Sequence, residues 1–270
     1  MGKIVAVWSD VKKSGKSVVT YMLANRIRET SEKDLKILVC CLNLKYSSLY
    51  RLFGVSVSAT GLEDLINYQF FKAGNKSILS DIAPDSSGIC FLGSYRTTNS
   101  YINKNIENYS KLIDELKENF DLIIFDTISG NENQLTNLAL QKSDIILRLS
   151  VQDNESLKGL TNPEGRKQLY NQEIIHIVSK YRNIYPRLCD IKRRYAINKV
   201  YRMDYCDILQ EMKNRDSMHL YIQRETACNN TIMGISKYIL EKLCFMSEKE
   251  DIKEEPRSYI RSLIGAFQRR

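Results

Sequence analysis

Short apolar runs rich in β-branched residues recur along the chain, each followed by a polar turn and then by a stretch with helical spacing. Lys3-Ile-Val-Ala-Val-Trp8 predicts a strand, Ser9 to Gly15 a loop, and Ser17 to Arg28 a helix whose apolar residues recur every three or four positions. The alternation continues with strands predicted at Ile37–Cys41, Gly88–Leu92, Phe120–Phe125, Asp144–Leu149 and Glu173–Val178. Between them, helices are expected to open at Gly61, to span Asn105 to Asn119 and about Asn133 to Gln141, and to follow Asn154. Strands this uniformly apolar are buried on both faces, as in a parallel sheet covered by helices. The predicted fold class is therefore α/β: a doubly wound, mostly parallel sheet flanked by helices over residues 1–246.

The C-terminal pattern is different. Ser247 to Pro256 is charged and poor in apolar residues, which predicts an exposed linker. In 257–270, Tyr259, Ile260, Leu263, Ile264 and Phe267 fall on one helical face, with Arg257, Arg261, Arg269 and Arg270 beside them. That spacing predicts a basic amphipathic helix suited to an anionic membrane surface or to a partner, with docking on the protein's own surface as the alternative. One copy of so short a segment binds weakly, so dimerisation would reinforce it.

Composition narrows the classes. With 43% hydrophobic and 27% charged residues among 270, the chain is neither disordered, collagenous nor coiled-coil, and 4 Pro with 12 Gly leave little linker material. No run approaches the roughly 18–20 apolar residues of a membrane-spanning helix. The expectation is a cytoplasmic protein, neither secreted nor membrane-spanning. The 7 Cys contain no C-x-x-C and read as reduced, mostly buried thiols; His176 and His219 give no zinc spacing, and His176, inside an apolar run, reads as a core histidine.

The net charge of +8 is uneven: the first 150 residues carry +2 and the remaining 120 carry +6. Lys192, Arg193 and Arg194, with Arg182, Arg187, Lys199 and Arg202 nearby in sequence, form a candidate patch for nonspecific DNA. No helix-turn-helix or zinc module accompanies it, and a solvated face is the favoured reading.

The strongest chemical signal is Asp10-Val-Lys-Lys-Ser-Gly-Lys-Ser17, between the first strand and the first helix. Its Gly15-Lys16-Ser17 matches the end of a phosphate-binding loop, in which backbone N–H groups wrap phosphates, the lysine neutralises oxygens, the hydroxyl holds Mg²⁺ and the helix N-terminus adds its dipole. Lys12, Lys13, Ser14, Gly15, Lys16, Ser17 and Val18 are the candidate nucleotide contacts. Asp10 stands where the motif's first glycine belongs, and its carboxylate and Cβ are expected to hinder phosphate approach. A second apolar strand ends in Asp126, placed to join Ser17 in a Mg²⁺ shell; the alternative is a strand-terminal Asp capping a turn.

On these residues the chain resembles the ParA/MinD superfamily of deviant P-loop ATPases. Further matching features are Ile37 to Asn43 followed by Ser48 to Gly54, Gly61 to Leu65, Phe120 to Gly130, Ser143 to Leu147, and Val200 to Tyr205 in the place of the family's last strand and adenine-side loop. Within the superfamily it looks most like the divergent TadZ/CpaE branch, which helps localise pilus or secretion machinery. The resemblance implies ATP and Mg²⁺ as cofactors, a homodimer formed face to face across the phosphate loops, and protein partners belonging to a localised machine.

The departures from the family pattern are specific. Its loop, K-G-G-x-G-K-[ST], begins with a lysine that reaches the partner's phosphates; that position is Val11, with Lys12 and Lys13 in place of glycines. Either lysine is a candidate substitute for the missing one. The water-positioning acidic element after the second strand corresponds to Cys41 and Asn43, and the family's adenine-side Asn corresponds to Ser179. The resemblance thus implies a nucleotide-binding positioning protein with weak or absent hydrolysis. The alternatives are a nucleotide-free pseudo-ATPase scaffold and a DNA-partitioning ATPase.

Overall fold

The computed structural model describes residues 1–44, 48–54, 61–71, 82, 88–94, 97–161, 172–197 and 199–246. The linker and amphipathic helix expected at 247–270 lie outside the described residues. Seven parallel strands form one sheet: β1 (Lys3–Trp8), β2 (Ile37–Cys41), β3 (Ile89–Gly93), β4 (Leu122–Asp126), β5 (Ile145–Val151), β6 (Glu173–Tyr181) and β7 (Val200–Asp204). Their order is β3-β2-β4-β1-β5-β6-β7. The predicted α/β class, with its doubly wound parallel sheet, is the observed one.

The helices are α1 (Lys16–Thr30), α2 (Ser48–Leu52), α3 (Leu62–Phe71), α4 (Asn99–Lys104), α5 (Ile106–Asn119), α6 (Gln134–Lys142), α7 (Asn154–Lys158), α8 (Leu188–Tyr195), α9 (Asp207–Asn214), α10 (Met218–Ile222) and α11 (Ala227–Lys242). Side chains alternate across each strand, so β1 splits its apolar residues between two layers. Val5 and Val7 join the core under α1 and α11, while Ile4, Ala6 and Trp8 join the core that includes Leu112 and Leu116 of α5 and Leu135 and Ala139 of α6. Over β1 to β5 both faces of the sheet are covered, which is why these strands read as continuous apolar runs rather than as alternating ones. A third, smaller cluster, including Val178, Tyr181, Ile191 and Val200, extends the α5–α6 side towards β7.

Gly15 immediately precedes helix α1 with a left-handed φ of 94°, and no side chain caps this end. A Cβ at Gly15 would meet nothing within 4 Å, so the glycine serves backbone conformation rather than space. In a parallel sheet the loops at the carboxyl ends of the strands form the crevice for ligands, beside the strand where the chain reverses its direction across the sheet. Here that strand is β1, flanked by β4 and β5.

Candidate functional site

Residues 12–18, the whole candidate loop segment, line one cavity of about 570 Å³ at the carboxyl ends of the strands. Its other walls come from Asn43 after β2, Ile128 and Ser129 after β4, Ser179 and Lys180 of β6, Met203 to Cys206 at β7, and Leu209, Gln210 and Lys213 of α9. The Val18 side chain is buried in the α1 core.

The register explains how the polar centre is assembled. Asp126 is the ladder partner of both Val7 and Cys41, so the three side chains point to the α1 side of the sheet. There Ser17 Oγ donates to Asp126 Oδ2 at 2.7 Å, and Lys16 Nζ donates to Ser129 Oγ at 2.5 Å. Asp126 is fully buried, and its Oδ1 has no hydrogen-bond partner among the described residues. Burial raises the Asp126 carboxyl to about 6, against the opposing pull of the Ser17 hydroxyl and the Lys16 ammonium. Burial likewise lowers Lys16, with Asp126 acting in the other direction. A buried carboxylate with one oxygen held by Ser17 and the other unpartnered fits a divalent cation shared with that serine. The uncapped helix end and the Lys16 ammonium fit a phosphate chain.

The loop's amino-terminal half departs from the sequence-based expectation for Asp10. Its carboxylate does not face the cavity. Asp10 Oδ2 accepts from Arg148 Nη2 at 2.6 Å, and neither Asp10 nor Val11 is among the residues lining the cavity. Arg148, in the middle of β5, is 1% exposed, lies over the Trp8 ring at 5.0 Å, and donates to the Gly159 carbonyl at 2.5 Å. Gly159 permits this approach, because a Cβ there would stand 2.9 Å from Asp10 Oδ2. Lys13, in a glycine position of the family loop, adopts the left-handed φ of 58° that a glycine would supply.

The remaining candidates fall on two sides of the cavity. Cys41 is buried in the core and outside the cavity; Asn43 lines the cavity and donates from Nδ2 to Cys41 Sγ at 3.7 Å. Ser179 lines the cavity too, but its hydroxyl bonds the Ser14 carbonyl at 2.7 Å and so fastens β6 to the phosphate loop. The loop after β4 is fastened as well: Ser129 Oγ donates to the Val11 carbonyl at 3.1 Å, Gly130 N–H to the Ser9 carbonyl at 3.0 Å, and Trp8 Nε1 to the Gly130 carbonyl at 2.9 Å. Sequence reading did not find Arg148 or Ser129. Arg148 carried a usable signal, as a charged residue inside an otherwise apolar run.

Of the candidate DNA patch, Lys192, Arg193 and Arg194 are exposed on the last turns of α8. Arg193 pairs with Asp190 and Arg202 with Asp204, while Arg182 lies over the Tyr205 ring at 4.4 Å. These internal partners fit the favoured reading of a solvated face. His176 is half-buried in β6, at the ladder position beside Arg148. All seven cysteines are free, and Cys40, Cys41, Cys90 and Cys228 are buried. Among the described residues no helix is long and apolar enough to cross a membrane.

No family model matches the sequence, and neither does any curated protein. Solved structures do match the fold. A ParA family ATPase from Chlorobium tepidum superposes with a TM-score of 0.74 at 16% identity, covering 88% of this chain and 98% of its own. The fold is that of the MinD and ParA ATPases. The cell division ATPase MinD of Pyrococcus furiosus has a TM-score of 0.72 at 15% identity, with coverage of 89% and 99%. The septum site-determining protein MinD of Pyrococcus horikoshii, complexed with Mg-ADP, has a TM-score of 0.71 at 15% identity, with coverage of 88% and 96%. In this MinD/ParA fold Lys16 and Ser17 at the start of α1 and Ser179 of β6 line one crevice, and Asp126 at the end of β4 is buried behind Ser17 rather than in the lining.

Proposed function

We propose that the chain binds ATP with Mg²⁺ and acts as a positioning protein of the ParA/MinD type, with hydrolysis weak or absent. The observation that supports this most is the Ser17–Asp126 pair, with its unpartnered buried carboxylate oxygen, directly beneath Lys16 at the start of α1. Ser17 Oγ and Asp126 would hold Mg²⁺, which when bound neutralises phosphate charge. Lys16 would exchange the Ser129 hydroxyl for a phosphate oxygen, and the N–H groups at the start of α1 would orient the phosphate chain. Residues 12–15 would wrap it, and the apolar side chains of Met203 and Leu209 offer a wall for the base.

Weak hydrolysis follows from what faces that site. Positioning and electrostatic stabilisation carry phosphoryl transfer. Val11 brings no charge to a partner's phosphates, and Cys41, a ladder neighbour of Asp126, is a buried thiol where the family has a carboxylate. The homodimer across the phosphate loops, protein partners within a localised machine and the TadZ/CpaE-like pilus or secretion role rest on the resemblance. The membrane contact through 257–270 rests on the sequence of that segment.

Calorimetric titration of ATP–Mg²⁺ into wild type and Lys16→Ala, with light scattering and phosphate release followed in parallel, tests the reading. Expected are micromolar binding, a loss of about a hundredfold or more in the variant, dimer formation with nucleotide and little phosphate release. Absence of binding by wild type would overturn it in favour of the nucleotide-free scaffold. Rapid release stimulated by DNA would overturn it in favour of a partitioning ATPase.

A further inference from the structure

The far wall of the cavity carries a feature that a phosphate loop does not need. Strand β6 pairs regularly with β7 until Val178, and the register then shifts before Tyr181. A regular strand would send Val178 and Lys180 to one face and Tyr181 to the other. Instead Val178 and Tyr181 share one core cluster, and Lys180, with a left-handed φ of 53°, is the extra residue. A bulge of this kind re-aims a side chain, and a non-glycine residue held at positive φ costs free energy that the surroundings must offset. The bulge is fixed on both sides by the Ser179 bond to the Ser14 carbonyl and by the Tyr205 N–H bond to the Tyr181 carbonyl at 2.8 Å. Its product is an exposed lysine on the cavity wall.

Lys213 of α9 lies on the same wall. The ammonium groups of Lys180 and Lys213 make no hydrogen bond or ion pair among the described residues, whereas Lys3, Lys142 and Lys242 each have a carboxylate partner. The cavity's one lining carboxylate, Asp204, lies 3.5 Å from Arg202 Nε and not from either lysine. At roughly 4.8 Å per strand, β6 lies about 10 Å and β7 about 14 Å from β1 across the sheet. A nucleotide with its 5′-phosphates on the loop after β1 therefore carries its sugar towards β6 and β7, where two unpaired cations wait for negative charge.

We infer that Lys180 and Lys213 form a second anion subsite for a phosphate group on the ribose, so that the cavity prefers a nucleotide phosphorylated at both the 5′ and the 2′ or 3′ position. The inference rests on the nucleotide-site reading above and names the ligand class of that same site. The test is calorimetric titration of the full chain with pairs matched in base and 5′-phosphates: AMP against adenosine 3′,5′-bisphosphate, and GDP against guanosine 3′,5′-bis(diphosphate), with ATP–Mg²⁺ as reference. The ribose-phosphorylated member is expected to bind at least about tenfold more tightly. In Lys180→Met/Lys213→Met that advantage falls below about twofold, while Lys180→Arg/Lys213→Arg keeps it. Equal affinities within each pair, or an advantage that survives in the Met variant, would overturn the subsite alone. Failure of wild type to bind any of these nucleotides, ATP included, would overturn the nucleotide-site reading and the subsite with it.

Discussion

The two halves of the phosphate loop have opposite relations to the rest of the protein. From Ser14 to Ser17 the loop lines the cavity, and the Ser17 hydroxyl is answered from below by Asp126. At Asp10 and Val11 the loop turns away from the cavity and is fixed by internal bonds, Asp10 to Arg148 and the Val11 carbonyl to Ser129, and Lys13 is left-handed where the family has glycine. On the proposed reading the first half carries the chemistry that binds phosphate and a cation. The second carries bonds that hold the loop still, and on the same reading these stand in place of groups that would serve catalysis. A nucleotide site read in this way can lose turnover while its binding geometry is retained, because the two depend on different residues of one eight-residue segment.

The bond that most defines the second half is the Asp10–Arg148 pair, and breaking it has the largest expected effect. Arg148 is 1% exposed and its Nε has no partner among the described residues, so Asp10→Ala leaves a buried cation answered by the Gly159 carbonyl and the Trp8 ring. The expected loss is about 3 kcal/mol, the low end of the range for a broken buried pair, because the Asp10 side chain is itself 32% exposed. Urea denaturation measures it. Asp10→Ala/Arg148→Met is expected to recover most of the loss, since an apolar side chain replaces the stranded charge. A double variant no more stable than Asp10→Ala would show that the cation is not what the aspartate answers.

Much of this architecture was legible in the sequence. Strand β2 was predicted at its observed limits, and β1 and the loop before α1 followed from local spacing, because apolar periodicity is a property of neighbours. Lys16, Ser17 and Asp126 were legible as a set because each ends or begins an element at a fixed place in the fold. The partners of Asp10, Lys16 and Ser179 were not, since Arg148, Ser129 and Ser14 lie 138, 113 and 165 positions away. The direction of Asp10 was hidden for the same reason: local sequence shows a carboxylate at a turn, and only the packed sheet shows which way it points. The bulge at Lys180 was equally hidden, as Glu173 to Val178 reads as a plain strand end.

Next in size is the first half's own charge. The Asp126 carboxyl titrates at about 6 in the folded chain against an ordinary 3.8, so the folded state binds the proton more tightly than the unfolded one. Its contribution to stability therefore falls as pH rises from about 4 to about 6 and is level above that. The shift corresponds to up to about 3 kcal/mol at neutral pH, at 1.36 kcal/mol per unit. Asp126→Asn, less the weakened bond from Ser17, is expected to stabilise the free protein by about 1–2 kcal/mol at pH 7.5. The gain should vanish towards pH 4, and the Mg²⁺ dependence of ATP binding should go with the carboxylate. Denaturation midpoints across this pH range check both signs. A loss of stability at neutral pH would mean that Asp126 is held for structure and not for a cation.

The smallest effect lies where the halves meet. Ser129 accepts from Lys16 on one side and donates to the Val11 carbonyl on the other, so it ties the binding half to the fixed half in the absence of ligand. Lys16 cannot serve a phosphate at full strength while the serine holds it. Ser129→Ala removes a bond of the free state that the bound state has already exchanged, so the free protein should lose about 1 kcal/mol while ATP binds about fivefold more tightly. These opposite signs, read as a lower melting temperature and a lower dissociation constant, are what a latch produces. If affinity falls together with stability, Ser129 instead supports Lys16 in both states, and the loop after β4 belongs to the binding half of the site.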